Sequence, residues 1–122
     1  MFVLTRYIAL HELKPLIRYI HRDELIDGAR KVIKGLGVEL KGAPHSGFRF
    51  FKIRVGKKNA GRMIVFLATG NRVIPVLIRL KKDKIFGMNM AMNNSDVVYQ
   101  ISKNMDHILN DLENGDFQEF PL

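Results

Sequence analysis

Between residues 48 and 80 the apolar side chains recur with a period of two, and this stretch constrains the fold more than any other. The alternation begins in Phe48–Val55, where Lys52 and Arg54 fall on one face. Two further apolar segments, Met63–Ala68 and Arg72–Leu80, are separated only by a short turn-like sequence, which is a hairpin signal. The sequence therefore predicts three successive antiparallel strands.

Helical spacing of apolar residues surrounds this strand region. Glu12–Ile20 predicts a first helix, and a second begins with Asp23 as its cap and stops at Gly35. A third helix is predicted after the sheet, with Ser95 as its cap and Gly115 just past its end. Residues 2–8 form either a short strand or the start of a helix near Tyr7.

The order of these elements predicts a single domain over residues 1–122 with an α+β fold. We expect a small antiparallel sheet of three to four strands, two N-terminal helices and one C-terminal helix. The last predicted strand is apolar on both faces, which indicates a central position, yet Pro75 within it requires an edge position or a bulge.

The positive charge is concentrated in the middle of the chain. The 20 Lys and Arg residues outnumber the 12 Asp and Glu residues, and residues 41–84 hold 12 basic side chains against one acidic. Residues 85–122 are acidic instead, with six acidic side chains against one basic. Such a basic block is expected for a polyanionic partner, although a solvated surface without a partner has the same composition.

Composition also excludes several kinds of site. Without cysteine there is no disulfide, thiolate zinc site, iron–sulfur cluster or cysteine nucleophile. The longest apolar run, Val73–Ile78, is six residues, against roughly 20 for a membrane span, so we expect a cytoplasmic protein. The four histidines lack metal-ligand spacing, and Lys57 and Lys58 are not part of a P-loop. We expect neither a metal nor a cofactor.

The most informative cluster is basic. Lys52 and Arg54 share a strand face, and Arg62 begins the neighbouring strand, so a regular hairpin places the three close together. Three lysines near the end of the next strand extend the cluster: Lys81, Lys82 and Lys84. The alternative interpretation is that these residues are only the solvated face of a half-buried sheet.

This pattern resembles the RelE/HigB branch of the RelE/ParE superfamily of type II toxins. The resemblance covers roughly Phe48–Leu112 and consists of an aromatic-Lys-Ile-Arg-Val strand, a turn with Gly and Lys, Gly-Arg, two apolar strands and a Lys-rich end. These bacterial and archaeal proteins are ribosome-associated mRNA endonucleases that a cognate antitoxin holds inactive.

The resemblance implies a catalytic role for four basic residues. Lys52 and Arg54 look like the paired basic residues on the second strand of RelE, Arg62 like the arginine opening the third, and Lys82 lies near the position of the arginine after the fourth. The implied reaction is metal-independent attack of an RNA 2′-hydroxyl on the adjacent phosphate, whose developing charge fixed cations stabilise. The implied partners are mRNA on the ribosome and an acidic antitoxin that folds across the basic face.

Further residues are candidates for RNA binding around this centre. They are neighbouring lysines, one aromatic residue and one loop histidine: Lys57, Lys58, Lys81, Lys84, Phe86 and His45. Phe86 has two possible roles, because aromatic side chains stack on bases in RNA sites but also pack under helices.

One departure from RelE leaves the general acid and base unidentified, because residues 85–90 hold no tyrosine or histidine. Two alternatives therefore stay open. Beside the endonuclease, these are a ParE-like inhibitor of DNA gyrase without nuclease chemistry and a basic RNA-binding module whose affinity depends steeply on salt.

Overall fold

The computed structural model describes residues 1–41, 47–69, 71–83, 90 and 93–122. Its strands are β1 (Phe2–Thr5), β2 (Val38–Glu39), β3 (Arg49–Val55), β4 (Gly61–Ala68), β5 (Arg72–Leu80) and β6 (Phe117–Phe120). Its helices are α1 (Arg6–Ile8), α2 (Arg22–Ile33) and α3 (Ser95–Asn114). A π-helical turn (Ala9–Leu13) and a 3-10 turn (Lys14–Leu16) continue α1, and a second 3-10 turn (Lys57–Asn59) connects β3 to β4.

Within the described residues, the strands form one six-stranded sheet in the order β2-β3-β4-β5-β1-β6. β1 runs parallel to β5, with Phe2 opposite Val73, and the other neighbouring strands are antiparallel. The predicted α+β class is confirmed, but the sheet is larger than the predicted three to four strands and is mixed. β2 has two residues and β6 has four, so neither is long enough for alternation to stand out in the sequence.

The two N-terminal helical segments start at different residues from those predicted. The first begins at Arg6 and reaches Leu16. The cap of α2 is His21, not Asp23, and the His21 backbone N–H donates to Oε1 of Glu24 at 2.9 Å. Asp23 lies within the first turn of α2, where its negative charge complements the positive end of the helix dipole.

The cap of α3 also differs by one residue from the prediction. Asn94 caps the helix, and its Oδ1 accepts a hydrogen bond from the backbone N–H of Asp96 at 3.0 Å, so Ser95 is the first helical residue. Gly115 ends α3 in a left-handed conformation, with φ of 74°, as its position predicted.

A bulge accommodates Pro75 in the centre of the sheet. β5 lies between β4 and β1, and its register against β4 passes from Ile64 opposite Leu77 to Val65 opposite Pro75, which leaves Val76 as the extra residue. Of the two arrangements that Pro75 allowed, an edge or a bulge, the structure adopts the bulge.

Close packing of α2 against the sheet determines how near the side chains of α2 lie to β3. Gly28 of α2 lies against Val55 and Met63, and a Cβ atom there would be 2.7 Å from Cγ1 of Val55. Glycine thus allows α2 to approach β3 more closely than any other residue would. The polar side of α2 is consequently held beside the C-terminal end of β3.

Candidate functional site

Three of the predicted basic residues project from two neighbouring strands. Arg54 of β3 lies directly opposite Arg62 of β4, and Lys52 precedes Arg54 by two residues on the same face. The regular β3–β4 pairing therefore brings Lys52, Arg54 and Arg62 together, as the alternation predicted.

These three side chains line a groove of about 600 Å³. β2 pairs only with Phe51 and Lys52 of β3, so the groove borders the part of β3 that extends beyond β2. The residues that line it are Lys31, Leu36, Val38, Lys52, Ile53, Arg54, Asn59 and Arg62. The described lining therefore holds four cations and no carboxylate.

Lys31 is the groove cation that sequence analysis did not predict. It comes from α2, where it shares the polar side of the helix with Arg30 and Lys34. The sequence offers a signal in that basic run, but only the packing of α2 beside β3 selects Lys31 for the groove.

Arg62 is held in place by the backbone of the turn before β4. Its Nη1 donates to the carbonyl oxygens of Asn59 at 2.9 Å and Gly61 at 3.0 Å. Burial, and secondarily the nearby Arg54 guanidinium, lowers the pKa of Arg62 from its ordinary value. The guanidinium stays charged, so an anion bound between Arg54 and Arg62 relieves a repulsion that exists in the free protein.

The turn that holds Arg62 has an unusual backbone. Lys58 and Asn59 both have φ of 55°, in the left-handed region that non-glycine residues rarely adopt. Since the Asn59 carbonyl accepts from Arg62, the strained conformation contributes directly to the position of a groove cation.

Lys57 lines a second cleft, of about 220 Å³, between α2 and this turn. The other residues lining it are Glu24, Asp27, Gly28, Lys31, Arg54, Val55, Gly56 and Asn59. Lys57 thus lies beside the groove but not in it.

The remaining predicted site residues lie elsewhere. Lys58 and Lys81 are exposed, and neither lines the groove. Lys82 lies with its Nζ 4.5 Å from the centre of the Tyr19 ring, and it lines a separate small pocket with Tyr19 and Leu80. The structure therefore does not bring Lys82 to Arg62. Three candidates lie outside the described residues: His45, Lys84 and Phe86.

A buried polar cluster beside β5 was not predicted. Glu12 is 3% exposed, and its Oε1 accepts from Arg79 Nη1 and from the backbone N–H of Ile78 at 2.8 Å. Nδ2 of Asn104 donates to Oε2 of Glu12 at 3.3 Å and to the carbonyl of the bulged residue Val76 at 2.7 Å. Burial raises the pKa of Glu12, while the Arg79 charge and the hydrogen bonds oppose that shift.

Arg79 of β5 lies opposite Arg62 of β4 in the strand register, yet its guanidinium forms an ion pair with Glu12. No sequence signal identifies this arrangement, because Glu12 is a single charged residue in a helical pattern. Arg79 consequently belongs to the packing beside β5 and not to the lining of the groove.

Two of the histidines contact Tyr7. The His107 ring stacks on Tyr7 with 4.0 Å between centroids, and the His11 ring lies 4.4 Å away. In the described part of the chain, no three His, Asp or Glu side chains are grouped to hold a metal ion.

Comparison of the chain with protein-family models, curated proteins and solved structures found no match. Within the described residues, no helix has the length and apolar character needed to cross a membrane.

Proposed function

We propose that the protein is a metal-independent endoribonuclease of the toxin–antitoxin type, acting on mRNA at the ribosome. The observation that supports this proposal is the convergence of Lys31, Lys52, Arg54 and Arg62 on one groove without a carboxylate among its described lining residues. Phosphates are the charges that RNA always presents, and fixed cations bind them whatever the base sequence.

The proposed reaction is attack of a ribose 2′-hydroxyl on the adjacent phosphate. The bond from the 2′-oxygen to phosphorus forms, the bond from phosphorus to the 5′-oxygen breaks, and a proton passes from the 2′-oxygen to the leaving 5′-oxygen by way of solvent. The products are a 2′,3′-cyclic phosphate and a 5′-hydroxyl. Negative charge on phosphate oxygens grows in the transition state, so Arg54 and Arg62 bind that state more strongly than the substrate.

The partners follow from the same surface. An acidic antitoxin segment that covers the groove would neutralise its cations and exclude RNA. The proposal places the protein in the cytoplasm, where ribosomes translate mRNA.

A second candidate is an RNA-binding module that does not cleave. It is favoured by the composition of the groove, because the described side chains that line it include no histidine, tyrosine or carboxylate to transfer protons. Both functions require RNA in the groove and differ only in the chemistry that follows.

The test is controlled expression of the wild type and of Lys52→Ala/Arg62→Ala, with growth and mRNA 5′ ends followed within minutes of induction. The matched control is Lys14→Ala/Lys103→Ala, which removes two exposed cations outside the groove. We expect arrest and new mRNA cuts from the wild type and the control, and neither from the groove variant.

Other outcomes separate the alternatives. Arrest without new cuts would favour an inhibitor of another target, such as DNA gyrase. Growth without arrest in every strain, together with salt-dependent RNA binding by the purified protein, would favour the binding module.

A further inference from the structure

The groove continues past β3 into the second cleft. The groove and the second cleft are both lined by Lys31, Arg54 and Asn59, so they form one path beside the C-terminal end of β3. A ligand that fills both must be an extended chain. Because Arg54 lines both cavities, single-stranded RNA with one phosphate on Arg54 and Arg62 can extend from the groove into the second cleft.

The two parts of this path differ in chemistry. The described lining of the groove offers cations and aliphatic side chains, whereas the second cleft also holds the carboxylates of Glu24 and Asp27. A carboxylate repels phosphate but accepts hydrogen bonds from N–H groups. At about 220 Å³ the second cleft is also smaller than the roughly 300 Å³ of the smallest typical drug-sized pockets. Its size and chemistry therefore suit a single base.

Glu24 is the carboxylate best placed to contact that base. Its Oε1 accepts from the backbone N–H of His21, which fixes the side chain at the start of α2. Its Oε2 lies beside Gly56, because a Cβ atom at Gly56 would be 3.8 Å from that oxygen. Asp27 is instead bound through Oδ1 to Arg30 at 2.8 Å and is more exposed.

We propose that Glu24 determines base preference by accepting a hydrogen bond from the exocyclic amino group of a base in the second cleft. Cytosine offers an amino donor at its 4-position, where uracil offers a carbonyl acceptor that a carboxylate repels. Cytosine is therefore favoured over uracil in this cleft. This inference rests on the proposed binding of RNA in the groove.

The experiment measures the affinity of the purified full chain for oligocytidylate and oligouridylate of equal length, at one low salt concentration. A base contact of this kind discriminates by roughly 5- to 150-fold, and the partly exposed position of Glu24 favours the lower end. We expect wild type to bind oligocytidylate about fivefold more tightly. Glu24→Gln should abolish or reverse that preference, because its Oε1 accepts from the His21 N–H and its amide Nε2 then donates to the uracil 4-carbonyl that the carboxylate repels.

Two features make the variant interpretable. Glutamine still accepts from the His21 N–H, so the start of α2 is preserved. Asp23→Asn removes the same charge one residue away, outside both clefts, and should keep the wild-type preference. Equal wild-type affinities for the two oligonucleotides, or a preference that survives in Glu24→Gln, would overturn the role of Glu24. If the wild-type protein binds neither oligonucleotide, the proposed function itself is overturned.

Discussion

The carboxylate of Glu12 accepts a hydrogen bond from the guanidinium of Arg79. The two residues lie along β5 at the positions that β1 does not pair with. β1 has only four residues and leaves β5 after Val73, so the Ile78 N–H has no strand partner on that side. Oε1 of Glu12 accepts from that N–H as well. One buried carboxylate thus replaces a missing strand at the point where the π-helical turn meets the sheet.

The buried position of Glu12 predicts a pH dependence of stability. Its pKa in the folded protein is raised above the ordinary 4.5, chiefly by burial, so folding favours the protonated form. The stability from this group is fully present below about pH 4.5 and is lost as the pH rises through the raised folded-state value. We expect the free energy of unfolding of wild type, relative to Glu12→Gln, to be highest in acid and to fall towards neutral pH.

Urea titrations of both proteins across this pH range measure that difference. Glu113→Gln is the control for the substitution itself, because it removes an exposed carboxylate of α3 outside the buried cluster. If the difference in the free energy of unfolding between wild type and Glu12→Gln instead grows with pH, the attraction of Arg79 for the ionised carboxylate outweighs the cost of burying its charge.

Asn104 is predicted to be essential for stability although it is polar. It is fully buried, and it donates both to the bulged Val76 carbonyl and to Glu12. Asn104→Ala leaves both acceptors without this donor, at about 1–3 kcal/mol each, so we expect a loss of about 2–6 kcal/mol in urea unfolding. The exposed Asn110→Ala on the same helix should change stability by less than about 0.5 kcal/mol. An equal effect of the two would contradict the role assigned to Asn104.

Strand alternation was sufficient to predict most of the sheet and part of the site. β3, β4 and β5 have seven to nine residues each, and the period of two placed Lys52 and Arg54 on one face beside Arg62. The edge strands β2 and β6 were not predictable. β2 has only two residues, and β6 pairs with β1 from the other end of the chain, which depends on contacts remote in sequence.

The residues that the sequence did not identify act through contacts between different elements. Lys31 and Glu24 reach the clefts only because Gly28 allows α2 to lie close to β3. Lys82 was expected to extend the cluster of Lys52, Arg54 and Arg62, yet it follows the end of β5 and lies over Tyr19, since strand alternation does not determine where a side chain beyond the strand points. The bulge at Pro75 was one of two possibilities, and the hydrogen bond from Asn104 to Val76 supports it in the structure.

Gly28 is predicted to resist substitution even though alanine is the better helix former. A Cβ atom there would be 2.7 Å from Cγ1 of Val55 and 3.2 Å from Cε of Met63. Overpacking costs typically about 1–3 kcal/mol and exceeds the gain of about 1 kcal/mol in helix propensity. We expect Gly28→Ala to lower the free energy of unfolding by about 1 kcal/mol.

A double-mutant cycle with Val55→Ala tests the cause, because it removes the clashing methyl group. Gly28→Ala should then be neutral or stabilising, with a coupling above about 0.5 kcal/mol. Additive effects of the two substitutions would show that the contact between Gly28 and Val55 is not the reason.

The strained turn between β3 and β4 predicts opposite effects at adjacent lysines. Lys58 has φ of 55°, where a non-glycine residue costs about 1 kcal/mol or more, whereas Lys57 is not among the positive-φ residues. We expect Lys58→Gly to raise the free energy of unfolding by a few tenths to about 1 kcal/mol, and Lys57→Gly to lower it by about 0.5 kcal/mol or more. Urea unfolding measures both, and destabilisation by Lys58→Gly would refute the strain argument.

The groove predicts how RNA affinity depends on salt. Its described lining holds four cations, and since Arg54 and Arg62 share one phosphate, they neutralise about three phosphates. Each neutralised phosphate of a single strand contributes about −0.7 to the slope of log affinity against log salt, so we expect a slope of about −2.1 for an RNA that occupies the groove. Lys31→Ala should reduce the magnitude of that slope by about 0.7. Lys34→Ala, at the C-terminal cap of α2 but outside the groove, should leave the slope unchanged. If the two lysine variants have equal slopes, Lys31 does not contact RNA, and the path beside β3 is limited to Lys52, Arg54 and Arg62.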